Sequence, residues 1–263
     1  MKQSKAEVQK RQNRILELFQ SNDALQVADV SKLLNVSEIT VRRDFDYLEK
    51  KGYITRFHGG AKLNLNRVDA FPKFENKGEQ HGNEKSLIAQ VVSGMIHDHD
   101  TVFLNAGTTT LEVIKCIKEK HVRVITNNAI AIGVIPGGNL EFICTGGVYN
   151  ENSRSFVGDL STPLLNKVYA NVCVLGVNGI SSKDGVTTYA YPETMINELM
   201  VKRCKGLKIV AADGSKIGKT YCFTSSLLNN IDVLVTDSSA DPLELEKIKE
   251  SGVRIMIADQ NAF

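Results

Sequence analysis

No apolar run in this chain of 263 residues reaches the roughly 18 residues of a membrane-spanning helix, so a transmembrane protein is not expected. The N-terminus "MKQSKAEVQKRQNRILELF" lacks the continuous apolar core of a secretion signal, because charges interrupt it throughout. A cytoplasmic protein is the expectation. Five cysteines, Cys116, Cys144, Cys173, Cys204 and Cys222, include no CxxC pair and lie mostly within apolar runs, which fits reduced, buried thiols rather than a disulfide or zinc framework. The histidine cluster "HDHD", His97 to Asp100, has no further ligands at metal-binding spacing and reads as a polar turn after a helix. No repeat of about 20–50 residues is visible and nothing is low-complexity, so a solenoid is not expected.

What is present is an ordinary globular composition, 42% hydrophobic and 24% charged, in a length that suits one large domain or two ordinary ones. The formal charge of +2 is unevenly placed. Residues 1–67 hold 13 Lys/Arg against 8 Asp/Glu, a net of +5, and the remainder holds 19 against 22, a net of −3. The basic end is therefore the part suited to a polyanion.

Helical spacing begins there. Ile15, Leu18 and Phe19 form an apolar stripe that ends near the polar turn "QSND", and "VADVSKLL" predicts a short helix with Val27, Val30, Leu33 and Leu34 inward. In "NVSEITVRRDFDYLEKKGYI", Ser37 is a natural N-cap, Val41, Phe45 and Leu48 share one face, and Gly52 stops the helix. Arg43 points away from that face, with Thr40 and Arg42 flanking it. The first turns of the second helix of a helix-turn-helix reach base edges in the major groove, and these residues sit there. The alternative is a solvated charged face in which Arg43 pairs with Asp44 or Asp46. Next, "YITRFHGGAKLNL" reads as a hairpin with Gly59 and Gly60 supplying positive φ. Three helices and a hairpin describe a winged helix, with Arg56, His58 and Lys62 on the wing.

The stretch "RILELF" followed by "VSEITVRRDFDYLEKKGYITRFHGGA" resembles the N-terminal signature of the DeoR-type bacterial transcription regulators. The resemblance implies a winged-helix DNA reader with Ser37, Thr40, Arg42 and Arg43 at the DNA, and the wing residues Arg56, His58 and Lys62 read from the hairpin are expected near the phosphate backbone or minor groove.

Residues 63–82, containing Pro72 and no sustained period, read as a linker between a DNA-binding domain at 1–62 and an effector domain at 83–263. Asn83 is expected to cap a helix with Leu87, Ile88, Val91, Val92, Met95 and Ile96 on one face. From residue 101, the runs "TVFLN", "VRVIT", "EFICT", "VCVLG", "LKIVAA", "DVLVT" and "VRIMIA" alternate with amphipathic segments, the pattern of a mostly parallel α/β sheet. Ligands of such sheets bind outside the carboxyl ends of the strands. Polar motifs occur there: "NAGTTT", "TNN" at 126–128, "TGG" at 145–147, "GVNGI" at 176–180 and "ADGSK" at 212–216. Gly107 lets a backbone approach an anion, Thr108, Thr109 and Thr110 offer hydroxyls and N–H groups, and Lys216 adds a positive charge. Thr126, Asn127 and Asn128 suit sugar hydroxyls.

This half is also similar to the DeoR-type sensor domain, itself similar in fold to ribose-5-phosphate isomerase. That likeness implies a phosphorylated sugar bound by Gly107, Thr108, Thr109, Asn127, Gly147, Asn178, Gly179, Asp213 and Lys216, with Arg154 reaching the ligand or a partner subunit. Related isomerases need a carboxylate to move a proton. Asn105 and Asn178 are neutral at two loop positions where related sequences often carry Asp, and an amide is no general base near neutral pH. Glu193 and Asp213 keep an isomerase reading in view, the first more simply a helix-dipole partner and the second an orienting group for Lys216. A winged helix that docks protein instead of DNA is a further alternative. The expected whole is a non-enzymatic, cofactor-free, homo-oligomeric (dimer or tetramer) repressor of a sugar-utilisation operon, binding double-stranded operator DNA and controlled by a phosphorylated sugar, with no membrane partner.

Overall fold

The computed structural model describes residues 8, 11, 12, 14, 15, 18, 19, 24–50, 53–63, 81–151 and 153–259. The chain divides into two compact units, Met1–Phe71 and Pro72–Phe263. The stop at Gly52 and the linker with Pro72 lie outside the described residues.

In the first unit, Val8, Arg11, Gln12, Arg14, Ile15 and Leu18 are helical. Strand β1 (Ala24–Gln26), helix α1 (Val27–Leu34), helix α2 (Glu38–Lys50) and strands β2 (Ile54–Phe57) and β3 (Gly60–Leu63) follow. The three strands form an antiparallel sheet in the order β1-β3-β2. Ile15, Val27, Val30, Val41, Phe45, Leu48 and Ile54 are all buried. Each such side chain contributes roughly 1.5–3 kcal/mol, more than any surface ion pair, so this stripe fixes the helices. Leu33 does not join it: it is 63% exposed, and only Val27 and Val30 of α1 are fully buried. A heptad of helix tolerates a wide apolar stripe, but a two-turn helix beside a turn buries only one edge of it.

Two details of the hairpin differ from the sequence reading. Only Gly59 has positive φ, at 86°. Gly60 is a strand residue where a Cβ would lie 2.5 Å from the Leu25 carbonyl oxygen, so close packing against β1 excludes a side chain there.

The second unit is built on a seven-stranded parallel sheet. Its strands are β4 (Thr101–Leu104), β5 (Arg123–Thr126), β6 (Glu141–Cys144), β9 (Ala170–Gly176), β12 (Cys204–Ala211), β14 (Val233–Asp237) and β15 (Arg254–Ala258), in the order β15-β14-β12-β9-β4-β5-β6. A small hairpin, β7 (Val148–Asn150) with β8 (Ser155–Val157), and a three-stranded antiparallel sheet of β10 (Gly179–Ser181), β11 (Gly185–Thr188) and β13 (Phe223–Ser226) complete it. Helices are α3 (Gly82–Ser93), α4 (Thr108–Ile117), α5 (Thr162–Lys167), α6 (Tyr191–Arg203) and α7 (Pro242–Glu250). Alternation along the strands feeds two cores. Phe103, Cys173, Leu175, Val210 and Leu234 pack with Leu165, Ile196, Met200 and Ile248 on one side. Val102, Leu104, Val172, Val174, Ile209 and Val235 pack with Ile88, Val92, Leu111, Ile114 and Ile117 on the other.

Helix α3 begins at Gly82, and its N-cap is His81 with φ 57°, so Asn83 lies within the first turn rather than capping it. The cysteines are all free thiols. In the "HDHD" turn the acids are used by the backbone: His97 N–H donates to Asp100 (2.8 Å) and His121 N–H to Asp98 (2.9 Å).

Candidate functional site

The two units carry charge in different ways. On α2 the Ser37 Oγ accepts the Thr40 N–H at 3.3 Å and lies 2.9 Å from the Thr40 hydroxyl, which caps the helix and occupies both side chains. Arg42 and Arg43 are exposed. Arg42 lies 3.4 Å from Glu38 one turn back, an exposed pair worth about 0.3–0.5 kcal/mol. Arg43 makes no ion pair with any described residue, because both acids considered for it are engaged elsewhere. Asp44 is buried under the helix, where it accepts from Arg11 Nε at 2.6 Å and Gln12 Nε2 at 3.0 Å. Asp46 pairs with Arg56, whose own N–H donates to Glu49 at 2.8 Å. Arg56 is thus turned back onto α2 and fastens the wing to it, whereas His58 and Lys62 are exposed.

In the second unit the strand order reverses direction at β4 and β9, and a crevice at such a switch point is where open α/β sheets bind ligands. A cleft lies there, lined by Gly107, Thr108 and Thr109 after β4, Gly176, Val177 and Asn178 after β9, and Asp213 and Lys216 after β12. His81, Lys85, Ser153, Val186, Thr187, Thr188, Glu193, Asn197 and Ser225 close it. The first turn of α4 points its backbone N–H groups at this space, and neither the Thr108 nor the Thr109 hydroxyl has a hydrogen-bond partner among the described residues.

Several of the expected ligand residues hold the cleft rather than line it. Thr110 is fully buried and donates to the carbonyls of Asn105 (2.7 Å) and Gly107 (3.1 Å). Asn128 donates to the Gly107 carbonyl at 3.1 Å and accepts from Ile130 N–H at 3.1 Å, so it braces the loop after β4. Asn127 donates to the Phe156 carbonyl at 3.0 Å, and its Oδ1 is buried without a partner among the described residues. Gly147 has φ 120°, and a Cβ there would collide with Ser161. Gly179 abuts the Lys219 backbone. Arg154, with φ 50°, receives Ala129 N–H on its carbonyl at 3.0 Å. None of Thr110, Asn127, Gly147, Arg154 and Gly179 is among the lining residues.

Asn105, read from sequence as a neutralised acid, has a structural task. Its amide donates to the Gly176 carbonyl (2.9 Å) and to Asn197 (2.9 Å), and its oxygen accepts Gly176 N–H (2.8 Å), clamping β4 to β9 and α6. Asn178 does line the cleft and accepts from Thr188 Oγ1 at 2.6 Å. The "ADGSK" backbone is likewise occupied: Gly214 N–H donates to Asp237 (2.6 Å) and Ser215 N–H to Asp213 (3.1 Å). Burial raises the Asp237 carboxyl, but hydrogen bonds from Ser239 and Gly214 outweigh it and leave the pKa below the usual value.

Matches with known proteins agree with this geometry. Residues 11–67 match the DeoR-like helix-turn-helix domain and residues 80–238 the DeoR C terminal sensor domain. The chain belongs to the DeoR family. An HTH-type transcriptional regulator GolR of Listeria innocua is 30% identical over 95% of this chain and 98% of that protein. An HTH-type transcriptional regulator GlpR of Haloferax volcanii is 31% identical, covering 94% of this chain and 96% of its own. A putative aga operon transcriptional repressor of Escherichia coli O157:H7 is 28% identical over 95% and 94%. Like these DeoR relatives, the chain is a DNA-binding transcriptional regulator with a sensor domain, not an enzyme. Among solved structures, ribose 5-phosphate isomerase A of Methanocaldococcus jannaschii overlaps 52% of this chain and 55% of its own at 12% identity with a TM-score of 0.39, a likeness on which nothing functional rests. No described helix of this DeoR protein is long and apolar enough to cross a membrane.

The residue that sequence reading missed is Lys85. It is 4% exposed, on the inner face of α3, and lines the cleft with Asp213 and Lys216. Burial pushes its pKa below the ordinary lysine value; Asp213 pulls it back up and Lys216 pushes it further down, with Glu112 and Glu84 opposing. In sequence it hides inside an apolar stripe, three positions before Ile88. A charged residue at a core position of an otherwise amphipathic helix is the signal that would have found it.

Proposed function

We propose that this protein is a cytoplasmic repressor of a sugar-utilisation operon, released from its operator by a phosphorylated sugar bound in the sensor cleft. The observation that carries the reading is the cleft at the β4/β9 switch point, lined by the start of helix α4 with Lys85 and Lys216, and by Asn178, Thr187 and Thr188. The first set suits a phosphate and the second suits hydroxyls. A relative named as an operon repressor supports the repressor part.

On DNA, Arg43 and Arg42 are the side chains for base edges, Thr40 and Ser37 set the helix end against the backbone, and His58 and Lys62 meet phosphates from the wing. Arg56 acts through Asp46 by orienting the wing. A 1–62 DNA-binding domain, a 63–82 linker and an 83–263 effector domain are the functional parts. The protein works as a dimer or tetramer, since one such module spans too short a site. Ligand must bind the two states of the protein unequally, and about 1–3 kcal/mol of coupling is typical.

The test is fluorescence anisotropy on the protein's own promoter DNA with a panel of phosphorylated sugars and their unphosphorylated counterparts. Expected is specific binding relieved by one phosphorylated compound. Specific binding that no phosphorylated sugar alters would refute the effector, and absence of specific binding would refute the operator role.

A further inference from the structure

We infer that the sensor unit carries a DNA-contacting face of its own, a cluster of Lys167, Lys202, Arg203, Lys205 and Lys208 around Tyr169, which grips the phosphate backbone outside the bases that α2 reads.

The stretch "VKRCKGLK" at 201–208 holds four basic residues, and Lys167 stands two positions before Tyr169, within residues 68–263, whose net charge is −3. The fold brings these residues together. Helix α6 ends at Arg203, and β12 starts at Cys204, which pairs with Ala170, the residue after Tyr169. Arg203 lies 3.7 Å from the centre of the Tyr169 ring and Lys205 4.9 Å from it. A hydrogen bond from Arg203 Nε to the Val168 carbonyl at 3.1 Å orients the guanidinium. Lys202 and Lys208 line a neighbouring groove of about 570 Å³ together with Thr224, Ser226 and Asn230.

Among the described residues none of these five cations is in an ion pair. Glu198 stands on the groove wall, and Asp232 accepts the Lys208 N–H at 2.8 Å. Asp98 and Asp100, beside the start of β4 two strands from β12, accept the backbone N–H groups of His121 and His97. Lys202 and Arg203 complement the carbonyl end of α6, but that task does not extend to Lys167, Lys205 or Lys208. Nor does packing account for Tyr169, which is 53% exposed although two cations hold its ring. Arg, Lys, Tyr, Ser, Thr and Asn are the side chains that contact DNA phosphates.

A duplex is the polyanion at hand for a DNA-binding regulator. Protein bound at one site holds the adjoining DNA at high local concentration, so further cationic contacts add to binding without a separate association step. The face lies at the amino ends of β9 and β12 and the sensor cleft at their carboxyl ends. Among the described residues only Ser225 lines both the cleft and the groove, so a small effector and a duplex do not compete for the same cations.

The experiment is an anisotropy titration of the full chain across a salt series, on long duplexes of operator sequence and of random sequence. The parent is compared with the triple variant Lys167→Gln, Lys202→Gln, Lys205→Gln and with the single variants Lys205→Gln and Lys205→Glu. All three lysines are exposed, where substitution leaves folding nearly unchanged, and circular dichroism checks this. Each phosphate contact contributes about 0.9 to the slope of log K against log salt. Expected is a slope smaller by about 1–3 for the triple variant on both long duplexes, with Lys205→Glu weaker than Lys205→Gln. On an operator trimmed to the recognised bases, parent and variant should bind alike. Equal slopes for parent and folded variant on the long duplexes overturn the inference. So does weaker binding that follows from a lower oligomeric mass in light scattering, which would make the face a contact between copies. The random-sequence duplex separates this result from the repressor reading, because a reduced slope there supports the face even if no phosphorylated sugar releases the operator.

Discussion

Helix α2 and the sensor cleft both carry basic side chains, yet one displays them and the other hides them. Arg42 and Arg43 stand in solvent on a helix held only from its far side. Lys85 and Asp213 are buried, Lys85 on helix α3 and Asp213 in the loop after β12, where the next residue's N–H is held by Asp237. A DNA duplex is large, rigid and densely charged, so surface cations that swing into place are sufficient for it. A small ligand offers few contacts, and the protein must arrange its donors beforehand.

The sharpest way to break this contrast is to remove a buried carboxylate from the DNA-binding unit. Asp44→Ala removes the partner that holds Arg11 from beneath the helix, and loss of one member of a buried pair costs about 3–5 kcal/mol. Urea unfolding followed by circular dichroism should show that loss, and a change below about 1 kcal/mol would mean the pair does not anchor the helix. Next in size is Arg43→Ala, expected to weaken specific operator binding by about 1–3 kcal/mol while stability stays within about 0.5 kcal/mol. Equal operator affinity of mutant and parent would count against Arg43 at the bases.

On the cleft side, Asp237 holds the "ADGSK" loop with a pKa below its ordinary 3.8. A carboxyl lowered in the folded state adds stability above its unfolded pKa and loses it as pH falls. Asp237→Asn should therefore destabilise the parent fold at neutral pH and flatten its loss of stability below about pH 4, read from thermal midpoints across pH. An unchanged acid limb would show that other acids carry it. The smallest effect belongs to Glu38→Gln, which frees Arg42 from an exposed pair and should shift stability by no more than about 0.3–0.5 kcal/mol, within reach of careful chemical unfolding.

The same contrast governs how much could be read from sequence. Contiguous features were legible: the stripe of Val41, Phe45 and Leu48 orients α2 without any tertiary knowledge, and each of the seven apolar runs became a strand of the parallel sheet. The cleft is assembled from loops far apart in the chain, so residue type alone could not separate lining groups from supports. Thr110, Asn127, Asn128 and Gly147 have ligand-like chemistry but are absorbed by neighbouring backbone. Lys85 has the reverse problem, a cleft-lining charge disguised within a core stripe. Strands such as β1, β7 and β10 hold only three residues each, too few for alternation to register. Leu33 is exposed despite its apolar spacing, because a two-turn helix holds too little sequence to locate the centre of its buried face.

The most direct measurement is the salt dependence of the two affinities in one preparation, operator DNA by anisotropy and the phosphorylated sugar by calorimetry. Exposed cations on DNA should make the operator constant fall steeply, by roughly 10³ to 10⁵ between about 50 and 200 mM salt if 6–10 phosphates are contacted. Ligand affinity should fall by less than about tenfold over that range, because charges in a partly buried cleft are screened less. A ligand constant as salt-sensitive as the operator constant, or operator binding indifferent to salt, would contradict the division of displayed and hidden charge.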